Sequence, residues 1–79
     1  MWSKGIIDVP GEDGKMVSIE YWCKHWDEGS CFGIDEGCIS KLELRQNGKE
    51  VYNFDRGLDV DAQTPEAKKA LEILMKKYN

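Results

Sequence analysis

Apolar and polar residues alternate along the first part of the chain. Between residues 17 and 24 every second side chain is apolar, which is the period of a β-strand with one buried face. These apolar residues are Val17, Ile19, Tyr21 and Cys23. Residues 3–9 are predicted to form an earlier strand, and the Pro-, Gly- and Asp-containing residues 10–14 are predicted to turn the chain between the two.

A second alternating pattern surrounds Asn47-Gly48 and predicts a β-hairpin. Both central residues of the favoured type I′ turn need positive φ, which Asn and Gly accept. One side of the sheet then carries the pairs Leu44–Val51 and Leu42–Asn53, and the other carries Arg45–Glu50, Glu43–Tyr52 and Lys41–Phe54. Opposite charges across neighbouring strands are mildly stabilising, which supports this register.

Residues 64–79 predict an amphipathic helix. Thr64 is a good N-cap, Pro65 suits the first helical position, and Glu66 complements the positive end of the helix dipole. Apolar residues then recur at three- and four-residue spacing, and they are Ala67, Ala70, Leu71, Leu74 and Tyr78, with Ile73 beside them. Lysines occupy the last turn, where the dipole favours cations.

Together these elements predict an α+β fold in a single domain over residues 1–79. We expect a small antiparallel sheet of about four strands, in the order ββββα, with the C-terminal helix packed on one face. The glycine-containing residues 27–38 form a long loop before the third strand. One helix covers only one face of such a sheet, so the other face needs a different explanation.

The uncovered face is predicted to combine aromatic and charged side chains. Its aromatic residues in the predicted register are Trp22, Trp26, Tyr52 and Phe54, and its charged residues are Glu20, Lys24, Lys41, Glu43 and Arg45. This composition resembles that of protein interfaces, where aromatic residues are enriched. The alternative is that residues 27–38, or Trp2, fold over these rings and bury them.

Charge narrows the classes of function. The 79 residues carry fifteen acidic and eleven basic side chains, a formal net charge of −4. Acid is concentrated in residues 27–66, whereas residues 67–79 are basic. A general nucleic-acid binder needs surplus Lys and Arg to neutralise phosphates, so the acidic balance argues against this class. No apolar run approaches the roughly 20 residues of a membrane helix, and no signal-peptide pattern follows Met1, which predicts a soluble, cytoplasmic protein.

Four residues are the sharpest candidates for chemistry: Cys23, His25, Cys31 and Cys38. If the second and third strands pair, they could approach one another as zinc ligands. Their spacing lacks the paired C-x2-C knuckles of zinc ribbons, so we expect free thiols, with no metal and no cofactor. His25 is the only histidine, and neither an orienting third group nor an oxyanion hole accompanies it. We therefore predict a protein without enzymatic activity.

Two acidic pairs in the loop, Asp27-Glu28 and Asp35-Glu36, have more than one interpretation. They lack the residue pattern of an EF-hand, so calcium binding is not expected. Ordered carboxylates could instead stand in for phosphates against a basic protein groove. Ordinary charge that keeps the protein soluble is the alternative.

Three segments carry a resemblance to a known group of proteins. They are YWCKHWDEGS at residues 21–30, GI and GCISKL within residues 33–42, and NGK with VYNFDRG within residues 47–57. The chain resembles, over about residues 2–79, a group of short uncharacterised proteins of Gram-positive gut bacteria, their phages and mobile elements. The group has no established activity, so the resemblance assigns no functional residues. It implies a phage or mobile-element setting, in which small acidic proteins often bind and block host defence proteins.

These observations predict a non-enzymatic protein-binding module, and the resemblance suggests an inhibitor of a host defence nuclease of the anti-CRISPR kind. The expected partner is a protein, with a basic nucleic-acid-binding groove as one form of it, rather than nucleic acid or a membrane. The residues predicted to bind it are Trp22, Trp26, Tyr52, Phe54, Asp27, Glu28, Asp35 and Glu36. The alternative is a structural domain that forms a homodimer through its aromatic face.

Overall fold

The computed structural model describes all residues from Met1 to Asn79. The chain forms five strands followed by one helix, with a single turn of 3₁₀ helix at Ile34–Glu36. The strands are β1 (Trp2–Pro10), β2 (Met16–His25), β3 (Ile39–Gln46), β4 (Lys49–Asp55) and β5 (Leu58–Val60), and the helix is α1 (Pro65–Tyr78). The α+β class and the C-terminal helix are confirmed, but the sheet has five strands rather than about four.

Each strand pairs in antiparallel fashion with its neighbour in sequence, in the spatial order β1-β2-β3-β4-β5. The pairing of β1 with β2 runs without irregularity from Trp2 opposite Lys24 to Pro10 opposite Met16. Consequently β1 and β5 form the two edges of the sheet. The β1 edge is nine residues long, whereas the β5 edge has only three.

The β3–β4 hairpin turns at Asn47-Gly48 as predicted, with φ of 54° and 76°. The predicted pairing of Arg45 with Glu50 is also confirmed, but a β-bulge follows it and shifts the register. Tyr52 therefore faces Leu44, where the sequence predicted Val51. Because a bulge adds one residue to one strand, every later side chain of β4 changes its partner.

The bulge moves two aromatic residues to the side of the sheet that the helix covers. Tyr52 is 3% exposed and belongs to the core, and Phe54 pairs with Leu42 and packs against the core. The prediction that Tyr52 and Phe54 share a face with Trp22 is therefore wrong. Val51, which is half-buried, also packs against the core, so the bulge adds Tyr52 to that side without removing its neighbour.

Helix α1 begins after Thr64, whose side-chain oxygen accepts a hydrogen bond from the backbone N–H of Ala67 at 3.1 Å. This N-cap satisfies one of the free donors of the first turn. The helix lies across β1, β2 and β3. Its buried residues, Ala67, Ala70 and Leu74, complete a core whose largest fully buried side chains include Ile19, Ile39, Leu42 and Leu44. The small alanines let the helix approach the sheet closely.

Asn79 fastens the loop between β2 and β3 to the end of the helix. Its side-chain Nδ2 donates to the carbonyl of Ile34 at 3.0 Å, and its Oδ1 accepts from the N–H of Ile39 at 2.8 Å. The loop also inserts the Ile34 side chain into the core. A Cβ on Gly37 would lie against the Asn79 amide, so a side chain there would displace the amide from these two hydrogen bonds.

Candidate protein-binding face

We call the side of the sheet opposite α1 the open face. The strand register aligns its side chains in rows that run across the sheet from β1 to β4. Side chains directly opposite each other on neighbouring strands lie about 4.5–5.5 Å apart at Cβ. The first row is Trp2, Lys24, Lys41 and Asp55, the second is Lys4, Trp22, Glu43 and Asn53, and the third is Ile6, Glu20, Arg45 and Glu50. Trp22 is therefore surrounded by side chains of β1 and β3 within an antiparallel sheet.

Three tryptophans mark this face. Trp2 is 58% exposed and Trp26 is 50% exposed, whereas Trp22, in the second row, is half-buried. Trp26 follows β2 and is held by a hydrogen bond from its indole Nε1 to Ser40 Oγ at 3.1 Å. Ile6 adds an apolar side chain that is 65% exposed. A groove of about 550 Å³ runs over the face beside Trp2 and Trp22.

Cations lie over the tryptophan rings. Lys24 Nζ is 5.9 Å from the ring centroid of Trp2 and 5.2 Å from that of Trp26. The Arg45 guanidinium is 5.7 Å from the centroid of Trp22 and also forms an ion pair with Glu43. Contacts of this kind are favourable by about 0.5–1 kcal/mol at exposed sites. They restrain the long basic side chains and leave part of each indole free to contact a partner.

The open face is balanced in charge rather than acidic. Its three rows hold four basic and four acidic side chains, namely Lys4, Lys24, Lys41 and Arg45 against Glu20, Glu43, Glu50 and Asp55. The surplus acid of the chain therefore lies outside these rows.

The four acidic residues predicted to bind the partner lie in the loop before β3. Asp27, Glu28, Asp35 and Glu36 are all exposed. Asp35 and Glu36 adopt positive φ of 51° and 59° in the 3₁₀ turn. Burial raises the pKa of Tyr52 to about 12, and the charges of Asp61 and Asp35 add to this rise. Asp35 is thus within electrostatic reach of the covered side of the sheet, and the structure does not gather all four acids beside Trp22.

His25 belongs to a polar cluster on the covered side, not to a metal site. Its Nε2 is 2.9 Å from Ser3 Oγ, and its ring stacks on Tyr78 with centroids 4.4 Å apart. The phenol oxygens of Tyr78 and Tyr21 are 3.5 Å apart. Their shared hydrogen bond raises the pKa of Tyr21 and lowers that of Tyr78. The cluster connects the last turn of α1 to β1 and β2.

The three cysteines occupy different environments. Cys23 is in the core, Cys38 is half-buried, and Cys31 is exposed. No three His, Cys, Asp or Glu residues come together in an arrangement that could hold a metal ion. Burial raises the pKa of the Cys23 thiol to about 11, so this side chain acts as a small apolar residue at neutral pH.

Alkylation of the native protein with iodoacetamide at pH 8 is expected to follow this order of burial. Cys31 reacts first, Cys38 more slowly, and Cys23 only when the fold opens, because the thiolate is the reactive form and must be reached by the reagent. Mass spectrometry of the peptides gives the three rates. In about 6 M urea the three rates should become similar. Labelling of Cys23 in the native state as fast as Cys31 would show that the core assignment is wrong.

Four members of this face were missed by sequence reasoning: Lys4 and Ile6 on β1, and Asn53 and Asp55 on β4, which the bulge moves to this side. Ile6 and Lys4 alternate with the inward residues of β1, but their placement beside Trp22 depends on the register with β2. Trp2 was considered as a cover for the aromatic face, whereas it lies in the first row of that face and is more than half exposed. The other proposed cover, residues 27–38, packs Ile34 into the core.

Helix α1 has neither the length nor the apolar character needed to cross a lipid bilayer. Comparison of the sequence with curated proteins and with solved structures gives no significant match to either. Comparison with models of protein families gives a match over residues 1–79, which is the whole chain described above. The protein belongs to the family defined by the domain of unknown function DUF7678.

Proposed function

We propose that this chain is a non-enzymatic protein-binding module and that its open face is the binding surface. The observation that carries the proposal is the position of Trp2, Trp22 and Trp26 on or beside the face that α1 leaves uncovered. Tryptophan is among the residues most enriched at the energetic centres of protein interfaces. A sheet also holds these side chains in place, so little conformational entropy remains to be lost on binding.

The charges of the open face describe the partner that fits it. Four basic and four acidic side chains surround the tryptophans, so the partner should offer an apolar patch bordered by both signs of charge. Aromatic contacts then dominate the affinity, and salt changes it only weakly because the net charge of the face is zero. Steep weakening by salt would show that the acidic residues of the loop before β3 also contact a basic partner.

The proposal is tested by capture of the partner from the native host with two matched baits. Both are immobilised through an N-terminal or C-terminal tag; one is the wild-type chain and the other carries Trp22→Ala and Trp26→Ala. A protein retained by the wild-type bait and lost by the double variant supports the open face. Equal retention by both baits of every captured protein would contradict it.

Within this function we propose an inhibitor of a host defence nuclease as the narrower role. Its support is the resemblance to proteins of phages and mobile elements, together with the acid of residues 27–66. The exposed pairs Asp27-Glu28 and Asp35-Glu36 offer carboxylates to a basic groove. The captured protein decides this point: a nuclease whose cleavage rate falls on addition of the chain supports it, and a partner without nuclease activity rejects it.

Self-association through β1 is a second candidate, favoured by the unpaired edge of that strand. The N–H of His25 donates to the carbonyl of Met1 at 2.9 Å. Because hydrogen-bonded and non-bonded pairs alternate along an antiparallel ladder, the backbone groups that face away from β2 belong to Trp2, Lys4, Ile6 and Asp8. An edge of this length without a bulge is a ready template for another strand.

One antiparallel register satisfies all four outward residues. With a two-fold axis at Gly5, Trp2 pairs with Asp8 of the second copy and Lys4 pairs with Ile6, so every outward N–H and C=O finds a partner. Lys4 also lies diagonally across from Asp8 of the second copy, within reach for an ion pair. A shift by two residues in one direction leaves Asp8 unpaired. A shift in the other direction places Pro10, which has no N–H, opposite Trp2, whose C=O then lacks a donor.

Two substitutions at one position test this dimer. Ile6→Lys places a lysine opposite Lys4 of the second copy and is expected to give a monomer, whereas Ile6→Glu places opposite charges there and retains the dimer. Sedimentation equilibrium between about 10 and 500 μM distinguishes them. Both variants lose the same apolar side chain, so a difference reports the register. A wild-type chain that is monomeric throughout this range excludes the dimer.

A further inference from the structure

A small basic pocket lies where the open face meets the loops that follow β2 and β4. Its volume is about 270 Å³. Three cations line it, Lys24, Lys41 and Arg56, together with the rings of Trp26 and Phe32. This concentration of positive charge contrasts with the net charge of −4 for the whole chain. We call this site the basic pocket.

Two of the three cations have no carboxylate partner. Lys41 Nζ lies 3.6 Å from Asp55 Oδ1, whereas neither Lys24 nor Arg56 forms an ion pair. Lys24, Lys41 and Arg56 contribute three positive charges, and Asp55, which pairs with Lys41, contributes one negative charge. The net charge at the pocket is therefore +2. Uncompensated cations in a concave site raise the local concentration of anions.

The pocket positions its cations instead of leaving them free in solvent. Lys24 Nζ is 5.2 Å from the centroid of Trp26, and the Arg56 guanidinium is 6.0 Å from that of Phe32. Arg56 has a positive φ of 57°, which is uncommon for a residue with a long side chain, and its N–H donates to the carbonyl of Ser40 at 3.0 Å. Backbone conformations of this kind cost energy and are found more often at functional sites.

The two serines that line the pocket differ in their free hydrogen-bonding capacity. Ser40 Oγ accepts from Trp26 Nε1 and donates to the carbonyl of Lys24. Ser30 Oγ accepts from the N–H of Phe32 at 3.3 Å, so its own hydroxyl proton remains available. The pocket therefore offers an ammonium group, a guanidinium group and one hydroxyl donor in addition to the paired Lys41.

We propose that the basic pocket binds the phosphoryl group of a small phosphate monoester. Arg is suited to bidentate recognition of phosphate oxygens, Lys supplies a point charge, and both form charge-assisted hydrogen bonds. A carboxylate has two oxygens and one negative charge, whereas a phosphate monoester has three free oxygens and nearly two negative charges, which matches the net +2. The small volume suits a phosphoryl group with part of its carrier. The proposal does not depend on a protein partner.

The experiment is a titration of the ¹⁵N-labelled protein followed by two-dimensional NMR at constant ionic strength. The probes are inorganic phosphate and AMP, with adenosine and sodium chloride as comparisons. We expect AMP to shift the backbone amides of Ser30, Phe32 and Arg56 and the indole N–H of Trp26, with saturation below about 10 mM. A response to inorganic phosphate at the same residues identifies the free anion as sufficient, and a response to AMP alone shows that the carrier contributes. Equal shifts with adenosine or chloride would overturn the proposal.

Variants separate this site from a general attraction of phosphate to basic side chains. Lys24→Gln and Arg56→Asn are each expected to weaken AMP binding at least fivefold, and Asn suits the positive φ at position 56. The matched control is Arg45→Gln, which removes a cation that also lies over a tryptophan of the open face but outside this pocket. Its dissociation constant for AMP should change less than twofold. Equal weakening by Arg45→Gln and Arg56→Asn rejects the pocket as the site.

Discussion

Replacing Trp22 by alanine is expected to weaken binding of the protein partner at least about 30-fold, or roughly 2 kcal/mol. Trp22 lies in the middle row of the open face, between Lys4 and Glu43 in register. A partner that covers this row excludes water from the indole, and loss of the ring then removes a large apolar contact at the centre of the interface. Isothermal titration calorimetry with the captured partner measures the change directly.

A control variant must remove an exposed apolar side chain from another surface. Ile73 lies on α1 and is exposed, so Ile73→Ala should leave the affinity for the partner within about twofold. Circular dichroism and urea unfolding of both variants establish that each remains folded. If Trp22→Ala binds as tightly as the wild type while Ile73→Ala binds weakly, the interface lies on the helix side and the proposed face is wrong.

Replacing Tyr52 by alanine is expected to lower the free energy of unfolding by about 3–5 kcal/mol, the usual range for large aromatic residues in a core. Tyr52 is among the core residues and faces Leu44 on the covered side. Small domains have little stability in reserve, so the variant should unfold at a much lower urea concentration than the wild type. Urea unfolding followed by tryptophan fluorescence measures the difference.

Asn53 provides the matched control because it is the next residue of the same strand and lies on the open face opposite Glu43. Asn53→Ala should change the stability by less than about 0.5 kcal/mol, as is usual for surface substitutions. The two registers of the β3–β4 hairpin make opposite predictions for this pair. A stable Tyr52→Ala variant beside a strongly destabilised Asn53→Ala variant would support the uninterrupted register and contradict the bulge.

Local sequence signals predicted the elements of this fold well. The helix from Pro65 and its Thr64 cap depend on contacts within one turn, and the Asn47-Gly48 turn depends on the φ preferences of two residues. Both are confirmed because the physics that determines them is local. The short strand β5 was missed, since Leu58–Val60 contains too few residues to show an alternating pattern.

The composition of the open face was harder to predict because it depends on one extra residue. No residue pattern within β4 predicts the bulge after Glu50, yet the bulge places Tyr52 and Phe54 on the covered side. The core there accepts two aromatic side chains that the uninterrupted register would have left exposed, and their burial favours the shifted pairing. Trp22 is on β2, which does not pair with the bulged strand β4, so it keeps its predicted face.

The strands have the same order in the sheet as along the chain. This order determines the sequence separation between residues that come into contact during folding. Each hairpin brings together residues that are near in sequence, so its loop-closure entropy is small. The long closures are those that bring α1 onto β1 and β2 and bring Asn79 to Ile34 and Ile39. Without those contacts both faces of the sheet would be exposed to water. Docking of the helix is therefore the step that distinguishes the covered face from the open one.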